Sequence, residues 1–234
     1  MNHIEAKKYE HGRPILIAVD CIIFGVQENM LKLLIFKREV EPFAGQWSLL
    51  GSFVDPDESV SAAAERVLFE LTGLQDIYME QLNCFGAVDR DAGARVISVA
   101  HWSLIRVDQN HLEFSVRNHE AKWISIDEVP ELVLDHRDMV MMAIERLQER
   151  AKFHPIGFEL LPEEFTLPQL LKVYEAIFAH EIDDRNFRKK LLNSDLLTRL
   201  PKKDKSTSKK GSYLYKFNQE TYRKLSKDGY NFGF

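Results

Sequence analysis

Several things are missing from this chain of 234 residues, and each absence removes a class of function. No run of roughly 18 uncharged apolar residues occurs, so nothing in it is long and apolar enough to read as a membrane helix. Its opening, MNHIEAKKYEHGR, is too polar for a signal peptide. The expectation is a cytoplasmic protein with no membrane partner. Cysteine is scarce: Cys21 and Cys84 lie in apolar surroundings without CxxC spacing, so two reduced core thiols are expected rather than a disulfide or a metal site. His101 stands in a strand-like segment with no nearby His or Cys, which suits a satisfied core histidine better than a ligand. No internal repeat is apparent, and neither a metal site nor a cofactor is expected.

With 45% hydrophobic residues the chain can bury one full core and part of another, which predicts one domain plus a smaller one. Charge is distributed unevenly between them. Residues 1 to 184 carry 17 Lys and Arg against 32 Asp and Glu, a net of −15, whereas residues 185 to 234 carry 14 against 4, a net of +10. The overall value of −5 therefore hides a basic end. A lysine-rich terminus is either a solvated tail or a nucleic-acid surface, and the neighbouring residues must decide between them.

Ile15 to Val26, rich in β-branched residues, reads as a buried central strand, and Leu31 to Lys37 as its hairpin partner across Gln27, Glu28 and Asn29. A loop with Pro42 and Gly45 leads to a strand ending at Gly51. A helix is expected from about Glu58 to Thr72, with Asp57 and Glu58 at its positive end and Gly73 as its stop. Strands are expected in YMEQLNCFGAV, RVISVAHWSLIRV and AKWISI, and a helix in HRDMVMMAIERLQERAKF, where Val140, Ile144, Leu147 and Ala151 recur at helical spacing. Mixed strands and helices without βαβ alternation predict an α+β sandwich over residues 1–153.

Residues 154–234 read differently. FTLPQLLKVYEAIFAH opens on Thr166 and Gln169, the spacing of a capping box, and presents Leu170, Tyr174 and Ile177 on one face. DRNFRKKLLNSDLL then predicts a helix capped by Asp184, burying Phe187, Leu191 and Leu192 and leaving Arg185, Asn186, Arg188 and Lys189 outward. PKKDKSTSKKGS reads as a flexible basic loop bearing Lys202, Lys203, Lys209 and Lys210, and YLYKF as a strand with Tyr213, Tyr215 and Phe217 on one face. Helix, helix, basic loop and strand outline a winged helix-turn-helix, whose second helix enters the major groove while the loop meets phosphates. Cations occur in both places, which favours a DNA surface over a solvated tail.

GSFVDPDESVSAAAERVLFELTGL, residues 51–74, resembles the Nudix box, a glycine, five residues, Glu, seven residues and REUxEExGU with U aliphatic. Glu58, Arg66, Leu68, Glu70, Gly73 and Leu74 match, whereas Ser52, Val67 and Leu71 depart. Positions 67, 70 and 71 share one helix face, where the family places metal-binding glutamates. A hard divalent cation needs several oxygen ligands, and one carboxylate between two aliphatic side chains supplies too few. In the family Glu58 and Arg66 pair and hold the loop to the helix, so their retention implies the fold more than the chemistry.

RDAGARVISVAHW, VLDHRDMV and PIGFELLPEEFTLPQLLKVYEAI followed by DDRNFRKKLL extend the likeness over nearly the whole chain. It is similar to the Nudix-related transcriptional regulators, an α/β/α Nudix sandwich with a mixed sheet followed by a winged helix. The resemblance implies a non-hydrolytic effector domain, a homodimer on a palindromic operator, and a ligand that is a sugar such as arabinose or an ADP-ribose-like nucleotide. The apolar 67/71 face tilts the expectation toward the sugar. By position in the family, Lys37, Arg38, Trp47, Glu70, Asp89 and Arg90 are the expected ligand contacts, although core packing is the commoner fate of Trp47 and Trp102. An active hydrolase of ADP-ribose or a sugar nucleotide is the rival reading.

Overall fold

The computed structural model describes residues 13–75, 77–107, 120–206 and 209–227; the polar opening of the chain, with Thr207 and Ser208 of the lysine-rich stretch, lies outside them. β1 (Leu16–Gln27) is the central strand its composition predicts. Its hairpin partner β2 (Met30–Lys37) follows a turn in which Glu28 and Asn29 both take positive φ, 53° and 60°. Those values match the primed turn that a right-twisted hairpin prefers. β3 (Trp47–Ser48), β4 (Leu50–Phe53), β5 (Glu80–Phe85), β6 (Val96–Arg106) and β7 (Ala121–Ser125) complete a sheet ordered β3-β2-β1-β6-β5, with β4 paired to β1 and β7 to β2. β1 and β6 run parallel from Leu16↔Val96 to Val26↔Arg106, while the other pairings are antiparallel, so the sheet is mixed.

Alternation along β1 sends side chains to two separate layers. Val19, Cys21 and Ile23 pack with Ala63, Ala64, Val67 and Leu68 of α1 (Val60–Thr72) on one face. Ile22 and Phe24 pack with Met139, Val140, Ala143 and Leu147 of α2 (His136–Phe153) on the other. The result is the α/β/α sandwich expected. α1 starts two residues later than its acidic residues suggested, because Ser59 is the cap and its Oγ accepts from Ala62 N at 3.1 Å. Gly73 ends it with φ 73°, where a side chain would be strained. Cys84 is exposed, contrary to the expected core thiol, because β5 is an edge strand with one face open to solvent; Cys21 is buried as read.

The second unit begins at β8 (Phe165–Thr166) and α3 (Leu167–Phe178). Thr166 and Gln169 close the capping box, and Leu170, Tyr174 and Ile177 are at most 1% exposed. α4 (Asp184–Leu192) is capped by Asp183 rather than Asp184, its carboxylate accepting from Asn186 N at 2.7 Å. Phe187 and Leu191 are buried, but Leu192 is 50% exposed, because it falls off the face those two define. PKKD is not loop: it is the end of β9 (Leu197–Asp204), which pairs with β10 (Ser212–Phe217) to make the wing. α5 (Gln219–Lys227) closes the described chain and was not foreseen, although Tyr222 and Leu225 stand three apart and pack on the core.

One apolar cluster runs from Ile22 and Phe24 through Leu147 and Ala151 into Phe158, Leu170, Tyr174 and Leu191. α2 is thus shared, one face against the sheet and its last turns against α3, where Gln148 Nε2 donates to Ile177 O at 3.0 Å. A shared core predicts that both units unfold together. Leu170→Ala, in the second unit and fully buried, should lower stability by about 2 to 5 kcal/mol. Urea unfolding followed by tryptophan fluorescence, whose probes Trp47, Trp102 and Trp123 all lie in the first unit, should shift with it.

Candidate functional site

Arg66 organises the degenerate box. Its Nε and Nη2 donate to both oxygens of Glu58 at 3.0 and 2.5 Å, Nη2 also reaches Phe53 O at 3.1 Å, and Nη1 meets Glu70 Oε2 at 3.4 Å. Asp55 lies 3.7 Å away. Glu58 also accepts from Asp55 N at 2.8 Å, so loop, strand β4 and helix α1 are tied at one guanidinium. The hydrogen bonds from Arg66 hold the Glu58 carboxyl down at about 2. Val67 is 1% exposed within the α1 layer, and Leu71 packs against the same cluster. The donors that a divalent cation cluster requires are therefore missing: two positions of the face are apolar, and Glu58 and Glu70 are turned to an arginine. Among the described residues no group of three or more His, Cys, Asp and Glu is placed to hold a metal ion.

The expected ligand contacts fall in different settings. Lys37 and Trp47 are paired across β2 and β3, with Lys37 Nζ 5.7 Å and Lys122 Nζ 4.2 Å from the centre of the Trp47 ring. Trp47 is half-buried and packs against the edge of the core, whereas Trp102 is 6% exposed within it. Lys122, on β7, completes this cationic aromatic patch and escaped sequence reading, since β7 meets β2 only in the fold. Arg38 donates from Nε to Pro42 O at 3.2 Å, and Asp89 is exposed in the turn before β6. Glu70 stays with Arg66.

Arg90 departs from the expected role. Its side chain is 2% exposed and makes two hydrogen bonds to Asp135, at 2.9 and 2.6 Å, with Asp20 Oδ2 at 3.8 Å. It is a buried counter-ion, not an open ligand contact. Asp20 also accepts from Ser98 Oγ at 2.6 Å and faces His136 Nε2 at 3.5 Å. The amide of Leu49 donates to His136 Nδ1 at 3.1 Å, so the ring proton sits on Nε2, toward Asp20. Burial pushes the His136 pKa down, so the ring is neutral near pH 7. His101 is likewise buried, with Nδ1 against Val99 O at 3.1 Å.

On the second unit most of the expected DNA contacts are exposed. Arg185, Asn186 and Lys189 are exposed on α4, and Arg188 is half-buried with its Nε donating to Asp184 at 2.6 Å. Lys202 and Lys203 lie on strand β9, where Lys202 meets Glu164 at 3.3 Å and Lys203 Nζ stands 4.5 Å from the centre of the Tyr213 ring. Arg199 packs on that ring at 3.8 Å; the spacing 199, 203 along a strand would have found it had β9 been recognised. Lys209 and Lys210 are exposed at the turn into β10. A short helix that turns Arg185, Asn186 and Lys189 outward, and a wing that bears exposed lysines, are the two parts a winged helix uses, the helix for base edges and the wing for phosphates.

A Nudix sandwich joined through a shared core to a winged helix defines the class. The NUDIX domain family matches residues 14–142, and the NrtR DNA-binding winged helix domain matches residues 157–217. The chain belongs to the Nudix family, in the NrtR-type group that couples a Nudix domain to a C-terminal DNA-binding winged helix. It is 29% identical over 220 residues to the ADPR responsive transcriptional repressor NtrR of Acinetobacter baylyi, covering 92% of this chain and 87% of that protein. Shewanella oneidensis NrtR in complex with a 27mer DNA superposes with a TM-score of 0.77 at 29% identity, covering 92% of this chain and 96% of that one. The Nudix domain of the same Shewanella protein, complexed with ADP ribose, gives 0.52 at 29% identity over 62% of this chain and 99% of that one. No helix among the described residues is long and apolar enough to cross a membrane.

Two of the shifted groups, Glu58 and His136, show the sign of the pH dependence. Glu58 is held below its ordinary value of 4.5, so its contribution is complete above that value and is lost as pH falls toward about 2. His136 is held below 6.5, so the unfolded chain binds the extra proton and stability declines as pH falls below 6.5. Thermal midpoints measured from pH 8 down to about 2.5 should therefore fall in two windows, and Glu58→Gln should flatten only the lower one. A variant whose profile parallels the native one throughout would refute the assignment.

Proposed function

We propose that the chain is a ligand-responsive transcriptional repressor acting in the cytoplasm, with residues 1–153 as effector domain and 154–234 as DNA-binding domain. The observation that carries it is the outward exposure of Arg185, Asn186 and Lys189 on α4 and of Lys203, Lys209 and Lys210 on the wing, all within the net-positive last 50 residues of the chain. α4 enters the major groove, Arg185, Asn186 and Lys189 meet base edges, and the wing lysines with Lys202 meet phosphates. Arg188, already bonded to Asp184, contributes less. One small winged helix reads only a half-site, so a homodimer on a palindromic operator is the assembly that fits.

The effector is an ADP-ribose-like nucleotide. That reading rests on the names of the Acinetobacter and Shewanella relatives and on the patch of Lys37, Lys122 and Trp47, which offers cations to phosphate and a ring face to a base. It replaces the sugar that the apolar 67/71 face had suggested: that face argues against a metal, and a nucleotide can be bound without one. Arg38, Asp89 and Glu70 are the further contacts. The domain binds without hydrolysing, because Val67 and Leu71 stand where carboxylates would hold the metal.

Two measurements test this. The chain should retard duplex DNA from its own flanking intergenic region, with affinity falling steeply as salt rises. Arg185→Ala and Lys189→Ala should each weaken it by about 1 to 3 kcal/mol if they meet bases. Retardation no stronger than on unrelated DNA would end the reading. Incubation with ADP-ribose and Mg²⁺ should release no product, and turnover on the order of 1 per second or more would overturn the non-hydrolytic assignment.

A further inference from the structure

The strand pairing of the wing is interrupted once. β9 pairs with β10 at Lys203↔Tyr213 and again at Arg199↔Tyr215, so three residues of β9, Leu200, Pro201 and Lys202, face the single Leu214. β9 is the edge strand of its sheet, where a bulge and a proline without an N–H are tolerated. In a regular strand residues four apart stand about 13 Å from each other, and the bulge shortens that path. Arg199 and Lys203 therefore reach one ring: Arg199 Cζ lies 3.8 Å and Lys203 Nζ 4.5 Å from the centre of Tyr213.

Alternation along β10 decides which way this cluster faces. Tyr215 is buried in the core and Phe217 packs against it, so Tyr213, half-buried on the same side, continues that row outward. Cross-strand register puts Arg199 and Lys203 on that side as well. It is the side that packs on α3, whose Tyr174 meets Phe187 of α4 edge to face at 5.5 Å. Lys216 alternates to the other side and is paired with Glu163 at 2.7 Å, and Lys202 is held by Glu164 at 3.3 Å. Arg199 and Lys203 are both exposed, and among the described residues no carboxylate is paired with either. Two like charges thus converge on one ring without a counter-ion, and an anion set across them removes their repulsion.

We propose that Tyr213 is a positioning residue that holds Arg199 and Lys203 as a paired clamp on the phosphodiester backbone beside the half-site read by α4. The proposal rests on the DNA-binding reading above. A guanidinium carbon 3.8 Å from a ring centre is at stacking distance, which keeps its in-plane donors free for the fork that fits a phosphate. Tyr213 is itself anchored, since its ring packs against the core. Ordering two long side chains on it before the duplex arrives spares the rotamer entropy that a free arginine or lysine loses on binding.

Fluorescence anisotropy of the full chain with two labelled duplexes, one from the flanking intergenic region and one of unrelated sequence, tests the clamp. Phosphate contacts carry no sequence, so Arg199→Ala and Lys203→Ala should each weaken binding to both duplexes by the same factor, about five- to tenfold. Each should also lower the slope of log affinity against log salt by about one. Tyr213→Leu keeps both charges and should weaken binding severalfold, whereas Tyr213→Phe, which keeps the ring, should not. In a chain that already carries Arg199→Ala and Lys203→Ala, Tyr213→Leu should have no further effect; a tyrosine that only supports the fold would weaken binding in both backgrounds alike. An unchanged slope in Arg199→Ala, or an equal loss from Tyr213→Leu in both backgrounds, overturns the proposal. Thermal melts establish that the variants fold, and if Tyr213→Leu does not, the two slopes decide. Intergenic DNA bound no tighter than the unrelated duplex ends the repressor reading, whereas the clamp stands or falls on the slopes with either duplex.

Discussion

The first unit is built around a carboxylate in an unfavourable place. Asp20 sits in the central strand at 6% exposure, between two apolar layers, where an unpaired charge would cost several kcal/mol. Ser98 from the parallel neighbour, Arg90 from the turn before it, and His136 from the start of α2 all converge on it. Each partner arrives from a different element, so satisfying Asp20 fixes the register of β1 on β6, the path of the 86–95 turn and the seat of α2. His136 extends the tie to Ser48 and Leu49, the junction of β3 and β4 that leads into the Nudix loop. Removing any one partner leaves the others holding a buried charge, which is why such a cluster behaves as a unit.

A second cation sets the character of the box. In a Nudix hydrolase the acids of this helix face the metal; here Asp55, Glu58 and Glu70 converge on Arg66. The guanidinium neutralises them and ties the loop to the helix. Val67 and Leu71 follow the same logic from the inside: turned into or against the α1 layer, they exchange metal affinity for apolar contact. The loop can thus keep its shape while its reason for having that shape has changed.

How far the sequence reaches depends on the range of the interaction. β1, α2 and the capping box of α3 are legible because periodicity and caps are local, and Phe187 and Leu191 follow from the same periodicity. Arg90 misled because a charged residue in a turn reads as solvent-facing unless the distant Asp20 and Asp135 are known to lie behind it. The place of Lys122 beside Trp47 was invisible for the same reason, since β7 joins β2 across some 90 residues of chain. β9 failed differently: Pro201 followed by Lys202, Lys203 and Asp204 masks a strand whose pairing comes entirely from β10, and with it the place of Arg199 on Tyr213 was lost. Of the residues proposed to face DNA, helical spacing pointed to those of α4 and composition to those of the wing.

The shared core has a consequence for any regulation the protein carries. α2 packs on the sheet and on α3 at once, and Phe158 bridges to Phe217, so the two units cannot slide without breaking close-packed apolar contacts. Small graded displacement is therefore a poor way to transmit a signal here; a change between two discrete packings, or between a loose and a stiff connection, is the mechanism such a junction permits. Thermodynamic linkage then imposes reciprocity. If an effector lowers affinity for an operator by some factor, the operator must lower affinity for the effector by the same factor.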